Sequence, residues 1–251
     1  MERALSLWAC EEGVMARDHY DDVYESRAEP YDELVAHEDH EALLPALLDE
    51  LAPGAIDVVE AGAGTGRLTR MLAPRARRIQ AFDGSPAMIA VARRHLADAA
   101  HVTLGVATHE ALPVEPDVAD LAIEGWAFGH AVSRNAEGWR DEVRAWVTEL
   151  DRVTRARGRV VLIETMGTAV ATPFEGGHSL EPFDAFVTST LGFERHVVRT
   201  DYAFASPAEA LRVLGFFFGE RIEAKLAQSA FARGERTIVP EHTAVYVRPR
   251  S

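Results

Sequence analysis

A run of three alternating glycines between an apolar stretch and a helical stretch limits the fold of this chain more than any other feature. The glycines occupy positions 62, 64 and 66 and closely follow Glu60. Residues 56–59 before them are rich in β-branched side chains, and residues 67–72 after them have the pattern of a helix. A strand, a glycine turn and a helix in this order form the first unit of an α/β sheet with a ligand at the turn.

Short apolar runs continue to alternate with amphipathic ones along the rest of the chain. We predict strands at 56–59, 78–82, 101–106, 118–123, 160–163, 193–202 and 242–247. We predict helices at 67–72, 85–96, 141–153 and 207–228. This alternation is typical of an α/β fold with a doubly wound, mostly parallel sheet covered by helices on both faces.

The chain of 251 residues is long enough to bury one large core, and no linker or internal repeat divides it. We therefore predict a single domain over residues 1–251. It has an N-terminal helical cap at 1–52, a ligand-binding core at 53–165 and a C-terminal sheet part at 166–251. Within the last part, residues 205–235 are interpreted as a helical lid inserted before the final strand.

Charge and cysteine content restrict the partners and the location. Lys and Arg number 26 against 40 Asp and Glu, which gives a net charge of -14 and disfavours nucleic acid and anionic membranes. The single cysteine, Cys10, cannot form an internal disulfide. No apolar run reaches membrane length, and the first residues lack the pattern of a signal peptide. These observations predict a cytoplasmic protein.

The register of the glycines distinguishes two classes of ligand. A dinucleotide fingerprint would place its third glycine at position 67, where this chain has Arg67. The second predicted strand ends at Asp83, and a carboxylate there can accept both hydroxyls of a ribose. The alternative is that Asp83 only forms a turn ahead of Gly84.

Several motifs follow the glycine loop in a fixed order over roughly residues 55–165. They are the loop itself, Phe82-Asp83-Gly84-Ser85-Pro86-Ala87-Met88, Ala111-Leu112-Pro113, Asp117-Val118-Ala119-Asp120, Glu149-Leu150-Asp151-Arg152-Val153 and Gly158-Arg159-Val160-Val161-Leu162. In this order the chain resembles the class I S-adenosylmethionine-dependent methyltransferases. The small-molecule branch related to ubiquinone and menaquinone biosynthesis is the most similar.

The resemblance implies S-adenosylmethionine as the cofactor. The loop would hold its methionine part, Asp83 its ribose and Met88 its adenine. Thr108 stands where the family often has an aspartate for the adenine amino group. The cofactor-binding residues implied in this way are Glu60, Gly62, Ala63, Gly64, Gly66, Asp83, Gly84, Met88, Thr108, His109, Glu124 and Trp126.

The acceptor side is predicted from residues near the end of the fourth strand and in the N-terminal cap. His130 is the candidate general base and a substrate contact, although a histidine bonded to backbone is the simpler alternative. Tyr20, Tyr24, Tyr31 and Phe217 are candidate substrate contacts, with core packing as the alternative. Residues 37–40 (His-Glu-Asp-His) are interpreted as a solvated helix face, and no metal site is predicted.

These inferences favour transfer of a methyl group to a small-molecule acceptor. The first alternative is a protein that binds S-adenosylmethionine or S-adenosylhomocysteine as a sensor or scaffold, without transfer. The second is a nicotinamide-dependent oxidoreductase, which Arg67 disfavours. No feature of the sequence specifies an oligomeric state.

Overall fold

A computed structural model describes residues 19–20, 22–175, 177–219, 221–229 and 231–249. Its strands are β1 (Ile56–Ala61), β2 (Ala76–Asp83), β3 (Val102–Val106), β4 (Ala119–Gly125), β5 (Thr154–Thr168), β6 (Glu194–Arg199), β7 (Tyr202–Phe204), β8 (Phe231–Arg233), β9 (Arg236–Val239) and β10 (Glu241–Pro249). The central sheet has the order β3-β2-β1-β4-β5-β10-β6. β1 to β5 pair in parallel, and β10 pairs antiparallel with β5 and β6. The predicted doubly wound, mostly parallel fold is confirmed.

Helices cover both faces of this sheet. They are α1 (Ala28–Ala36), α2 (Leu43–Leu51), α3 (Arg67–Leu72), α4 (Pro86–His95), α5 (His130–Arg134), α6 (Trp139–Val153), α7 (Glu181–Ser189), α8 (Pro207–Phe218) and α9 (Arg221–Ser229). Residues 22–26 are also helical. As the sequence predicts, Ser85 caps α4 by accepting from the Met88 N–H at 3.2 Å. No helix within the described ranges is long and apolar enough to cross a membrane.

The core lies on both faces of β1, β4 and β5. All six residues of β1 are buried, as expected for a central parallel strand. On one face, α6 contributes Val143, Trp146 and Leu150 to a cluster with Phe128. On the other face, α2 and α3 pack through Leu48 and Leu68. The sheet is thereby fixed, and the loops at the carboxyl ends of its strands are held in place.

The C-terminal part differs from the prediction in two places. The strand predicted at 193–202 is two strands, because the chain leaves the central sheet after β6 and β7 joins a second sheet of order β7-β9-β8. The predicted lid at 205–235 is helical only through α8 and α9, since β8 and β9 form a hairpin after them. Its α8 packs through Leu214 against Leu34 of the cap and Phe204 of β7.

The N-terminal cap is helical at 22–26, in α1 and in α2, and residues 1–18 with Cys10 lie outside the described residues. The interpretation of residues 37–40 as a solvated helix face is wrong. Glu38 and Asp39 are buried, and the Asp39 carboxylate accepts from the Leu43 and Leu44 N–H groups at the start of α2. This segment is a buried connection between two helices.

Candidate active site

The glycine loop lies at the carboxyl edge of β1 and turns over the end of β2. The Gly62 and Ala63 N–H groups both donate to the Phe82 carbonyl, at 2.8 and 2.9 Å. Gly62 has a φ of +75°, and a Cβ built on it would lie 2.7 Å from the Cβ of Ala127. Only glycine therefore allows the loop to pass this close to the segment that follows β4.

Asp83 ends β2 beside this loop. The Gly64 N–H donates to its Oδ2 and the Ser85 N–H to its Oδ1, each at 2.8 Å. Burial raises the pKa of Asp83, and the two N–H bonds oppose that shift. Each carboxylate oxygen keeps a lone pair, so the side chain can still accept from two neighbouring hydroxyl groups.

A cavity of about 490 Å³ opens at the glycine loop and Asp83, and we call it the loop cavity. Of the predicted cofactor contacts, those that line it are Gly62, Gly64, Asp83, Gly84, His109 and Trp126. The His109 ring meets the rings of Phe128 and Trp146 edge-on, at centroid distances of 5.2 and 5.1 Å. Burial lowers the pKa of His109 to about 4, so its ring is neutral at pH 7.

Two predicted contacts, Glu60 and Glu124, support the site from behind. Glu60 accepts from the Thr69 hydroxyl at 2.6 Å, and burial raises its pKa to about 8. Glu124 accepts from the Ala127 and Phe128 N–H groups at 3.3 Å, and burial raises its pKa well above the ordinary value. Both carboxyl groups hold backbone in position and do not line the loop cavity.

Four further predicted contacts also lie away from the cavity wall. Ala63 packs in the core below the sheet, and Met88 packs with the cap helix α1. Gly66 caps α3 with a φ of +88°. The Thr108 side chain is hydrogen-bonded to Glu110. These residues position the loop, α4 and the segment after β3.

A second cavity of about 410 Å³ adjoins the first, and we call it the acid cavity because buried carboxyl groups line it. Six residues line both cavities: Tyr20, Tyr24, Tyr31, Trp126, His130 and Ser133. Phe217 lines the acid cavity. The structure thus brings all five predicted substrate contacts together at the junction of the cavities or beside it.

His130 stands at this junction, at the start of α5. Its Nε2 lies 2.8 Å from the Tyr24 hydroxyl. Burial lowers the pKa of His130 to about 4, and Arg134 adds to the shift. The imidazole is therefore neutral at pH 7 and can accept a hydrogen bond or a proton.

Three acidic residues and one arginine line the acid cavity. Arg67 pairs with Glu38 through two N–O contacts of 2.8 Å, and its guanidinium lies 3.5 Å from the centre of the Trp126 ring. Glu164 accepts from the Gly129 N–H, and Glu241 accepts from the Thr165 hydroxyl at 2.6 Å. Burial raises the pKa of both Glu164 and Glu241 above the ordinary value.

Sequence reasoning missed Arg67, Glu38 and Glu241 as site residues. Arg67 served only to exclude a dinucleotide register, and Glu38 was assigned to a solvated face. Glu241 carried one usable signal, since this acid directly precedes the predicted last strand at 242–247. Glu164 directly follows the fifth predicted strand at 160–163, and that position is the signal that marks it as a pocket residue.

Segment 37–40 has a structural role in the described residues. The Nδ1 atoms of His37 and His40 lie 3.0 and 3.1 Å from the carbonyls of Ala203 and Asp201. These contacts join the cap to the end of β6 and to β7. Among the residues that the structure describes, no group of three or more His, Cys, Asp and Glu side chains is placed to hold a metal ion.

Comparison with known proteins identifies the matched part of the chain. Residues 59–162 match the family model described as "Methyltransferase domain". The chain is 37% identical over 108 residues to a malonyl-[acyl-carrier protein] O-methyltransferase of Hahella chejuensis. It is 33% identical over 109 residues to the protein of the same name from Serratia marcescens.

These alignments cover 42% and 43% of this chain, and they span only 35% and 38% of the two relatives. Among solved structures, a putative type II methyltransferase from Anaeromyxobacter dehalogenans superposes with a TM-score of 0.56 at 19% identity. That match covers 82% of this chain and 94% of the other. Residues 59–162, matched by the family model, contain the second half of β1, all of β2 to β4, the glycine loop, Asp83 and His130.

Proposed function

Starting from a class I methyltransferase domain matched over residues 59–162, we propose that this chain transfers a methyl group from S-adenosylmethionine to a small-molecule acceptor. One observation carries the proposal. The loop cavity holds the glycine loop and Asp83, and it meets a second cavity at six shared side chains. Such an arrangement suits two ligands that react where the cavities join.

The residues of the loop cavity fit S-adenosylmethionine. Gly62 lets the loop pass close to Ala127, and it lines the cavity where the ligand's amino-acid part would lie. Asp83 offers two carboxylate oxygens to the ribose hydroxyls. The neutral ring of His109 offers an apolar surface for the adenine, whereas the resemblance implies that Met88 packs on the adenine. When bound, the cofactor would supply a methyl group activated by a positively charged sulfur.

The chain's own residues contribute position, proton acceptance and exclusion of water. Tyr24 holds the His130 imidazole at the junction through the 2.8 Å contact, and His130 is neutral at pH 7. A neutral imidazole there can take a proton from an acceptor group that loses one. Tyr20 and Phe217, whose ring centroids are 5.1 Å apart, cover the same space and limit the access of water.

A protein that binds the cofactor without transferring its methyl group is the alternative. The structure gives this alternative no separate support, because the second cavity supplies space for an acceptor. Mass spectrometry of products distinguishes the two: the proposal expects S-adenosylhomocysteine together with a methylated acceptor, and the alternative expects neither.

The curated relatives are named for a substrate on an acyl-carrier protein, but their alignments cover only 42% and 43% of this chain. A small-molecule acceptor is supported by the net charge of -14 and by the second cavity. A cytoplasmic location is supported by the single cysteine and by the sequence pattern of the first residues. The ubiquinone- and menaquinone-like branch likewise stays a prediction.

Calorimetric titration tests the cofactor directly. We expect S-adenosylmethionine and S-adenosylhomocysteine to bind at one site and NADH not to bind measurably. Tight binding of NADH without binding of S-adenosylmethionine would refute the proposal.

A further inference from the structure

The acid cavity is lined by more acidic side chains than basic ones. Among the described residues that line it, Arg67 is the only arginine or lysine, and Glu38 already neutralises it. Burial lowers the pKa of both lining histidines, His130 and His178, so they add no positive charge at pH 7. Glu164 and Glu241 have no hydrogen bond to a basic side chain among the described residues. Burial raises the pKa of each to about 8, so both are largely protonated at pH 7 unless a cation lies beside them, and a cationic ligand would favour their ionised forms.

One carboxyl oxygen of Glu241 also lacks a hydrogen-bond partner within the described part of the chain. Its side chain is 2% exposed, and Thr165 donates to Oε1 at 2.6 Å. Its Oε2 has no hydrogen-bond partner among the described residues. A buried carboxyl oxygen without a partner is costly, because it has lost water and gained nothing in return. A ligand that brings a donor removes that cost.

Aromatic rings form much of the remaining wall. Tyr31 and Phe217 have ring centroids 5.8 Å apart, and Phe217 and Phe218 have centroids 5.0 Å apart. The Trp126 ring already has a guanidinium 3.5 Å from its centre. Ring faces attract cations and also exclude water from an apolar ligand body. Acids and aromatic faces together favour an organic cation.

We propose that the acid cavity binds a small organic amine with an apolar body and that the amine nitrogen is the methyl acceptor. This inference rests on the proposed methyltransferase function. It predicts weaker binding of carboxylate ligands, because Arg67, the one cation lining the cavity among the described residues, is already paired with Glu38. The volume of about 410 Å³ suits a ligand of this size.

Methyl transfer to an amine needs a proton acceptor, and the acid cavity supplies one. Binding of an ammonium ligand favours the ionised form of Glu164, whose own proton passes to solvent; Glu164 lies beside the junction through its bond to the Gly129 N–H. The ammonium then gives one proton to this carboxylate, which is a stronger base at a pKa of about 8 than His130 at about 4. The freed nitrogen lone pair then forms the bond to the methyl carbon as the carbon–sulfur bond breaks and its electron pair moves to sulfur. The product leaves as a methylated ammonium.

Three ligands with one ring skeleton test the assignment: benzylamine, benzyl alcohol and benzoate. Each is titrated calorimetrically into the full chain, with and without saturating S-adenosylhomocysteine. We expect benzylamine to bind at least about tenfold more tightly than benzyl alcohol, since charge-assisted hydrogen bonds are roughly twice as strong as neutral ones. Benzoate should bind most weakly.

Glu241→Gln keeps the shape of the side chain and removes its charge, so it should bring the ratio of amine to alcohol affinity close to one. Glu164→Gln is a second variant with the same expected direction. Glu223→Gln changes an exposed acid on α9 and should leave the ratio unchanged. Equal binding of the three ligands, or an unchanged ratio in both buried variants, overturns the assignment.

Titration of S-adenosylhomocysteine alone separates this inference from the proposed function. Binding of S-adenosylhomocysteine without amine preference overturns only the substrate class. Amine preference without binding of S-adenosylhomocysteine overturns the methyltransferase proposal and leaves the amine site standing.

Discussion

The loop cavity and the acid cavity are built from different kinds of structure. The loop cavity takes its main groups from one stretch of the chain, between Gly62 and His130, and much of it is backbone held by hydrogen bonds. The acid cavity collects side chains from the cap, α3, β5, α8 and β10. A site of the first kind tolerates little change in backbone, and a site of the second kind changes its ligand through single side chains.

The largest expected effect is a loss of ligand binding in the loop cavity, caused by a change in its backbone. Gly62→Val should abolish measurable binding of S-adenosylhomocysteine. A side chain there meets Ala127 Cβ at 2.7 Å and adopts a positive φ, which together cost about 2–5 kcal/mol. Calorimetric titration measures the loss. Gly215→Ala, where a new Cβ meets nothing within 4 Å, is the matched control. Retained affinity in the Gly62 variant would show that the loop does not approach the ligand.

The second-largest expected effect is on how the stability of the folded chain depends on pH, which differs between residues of the two cavities. The pKa of His130 is about 4 in the folded chain and 6.5 for an ordinary histidine, so the unfolded state binds more protons between these values. The folded state therefore loses stability as the pH falls from 6.5 toward 4, and the loss totals about 3 kcal/mol, at about 1.4 kcal/mol for each unit of pKa difference.

Denaturant unfolding at several pH values measures this slope. His130→Gln should flatten the acid limb, whereas His196→Gln, on the edge strand β6, should not. Glu241→Gln should act at the opposite end, because a carboxyl with a raised pKa loses its favourable contribution as the pH rises above 4.5. If the free energy of unfolding depends on pH in the same way in all three variants, the burial assigned to His130 and Glu241 is wrong.

A smaller effect is expected at Asp83. Asp83→Ala should weaken binding of S-adenosylhomocysteine by about 1–3 kcal/mol, because the ribose hydroxyls and the Gly64 and Ser85 N–H groups lose their acceptor. Affinity is again read from calorimetric titration, with Asp98→Ala on an exposed turn as the control. Unchanged affinity would remove Asp83 from the cofactor site.

The smallest expected effect is at Thr108, a residue that lies near the loop cavity but does not line it. Thr108→Ala should change S-adenosylhomocysteine affinity by less than about 0.5 kcal/mol, since its side chain is hydrogen-bonded to Glu110 and does not line the cavity. A loss comparable to that of Asp83→Ala would show that Thr108 turns toward the adenine when the ligand binds.

The loop cavity could be predicted because its chemistry follows short-range spacing. The order of strand, glycines, helix and Asp83 sets the parallel sheet and its carboxyl edge, and the structure confirms that fold. The acid cavity depends on contacts between distant positions. Arg67 meets Glu38 across 29 positions of the chain, and Thr165 meets Glu241 across 76. No periodicity in the sequence encodes such pairs.

The end of β6 is a second feature that the local sequence pattern could not predict. Residues 193–202 have one continuous strand pattern, and that pattern fits either sheet. The chain changes sheets because the Thr200 N–H donates to the Glu241 carbonyl and the Thr200 hydroxyl contacts that of Thr243 at 2.6 Å. Tertiary contacts, which the local pattern does not contain, decided the boundary.

The six side chains shared by the two cavities have a consequence for the order of events in a catalytic cycle. Three of them, Tyr20, Tyr24 and Tyr31, belong to the N-terminal cap. Any molecule bound in the acid cavity contacts the same tyrosines that line the loop cavity. The acceptor is therefore expected to enter last and its product to leave first, so that turnover follows a compulsory sequence and exchange of the spent cofactor waits for the cap to open.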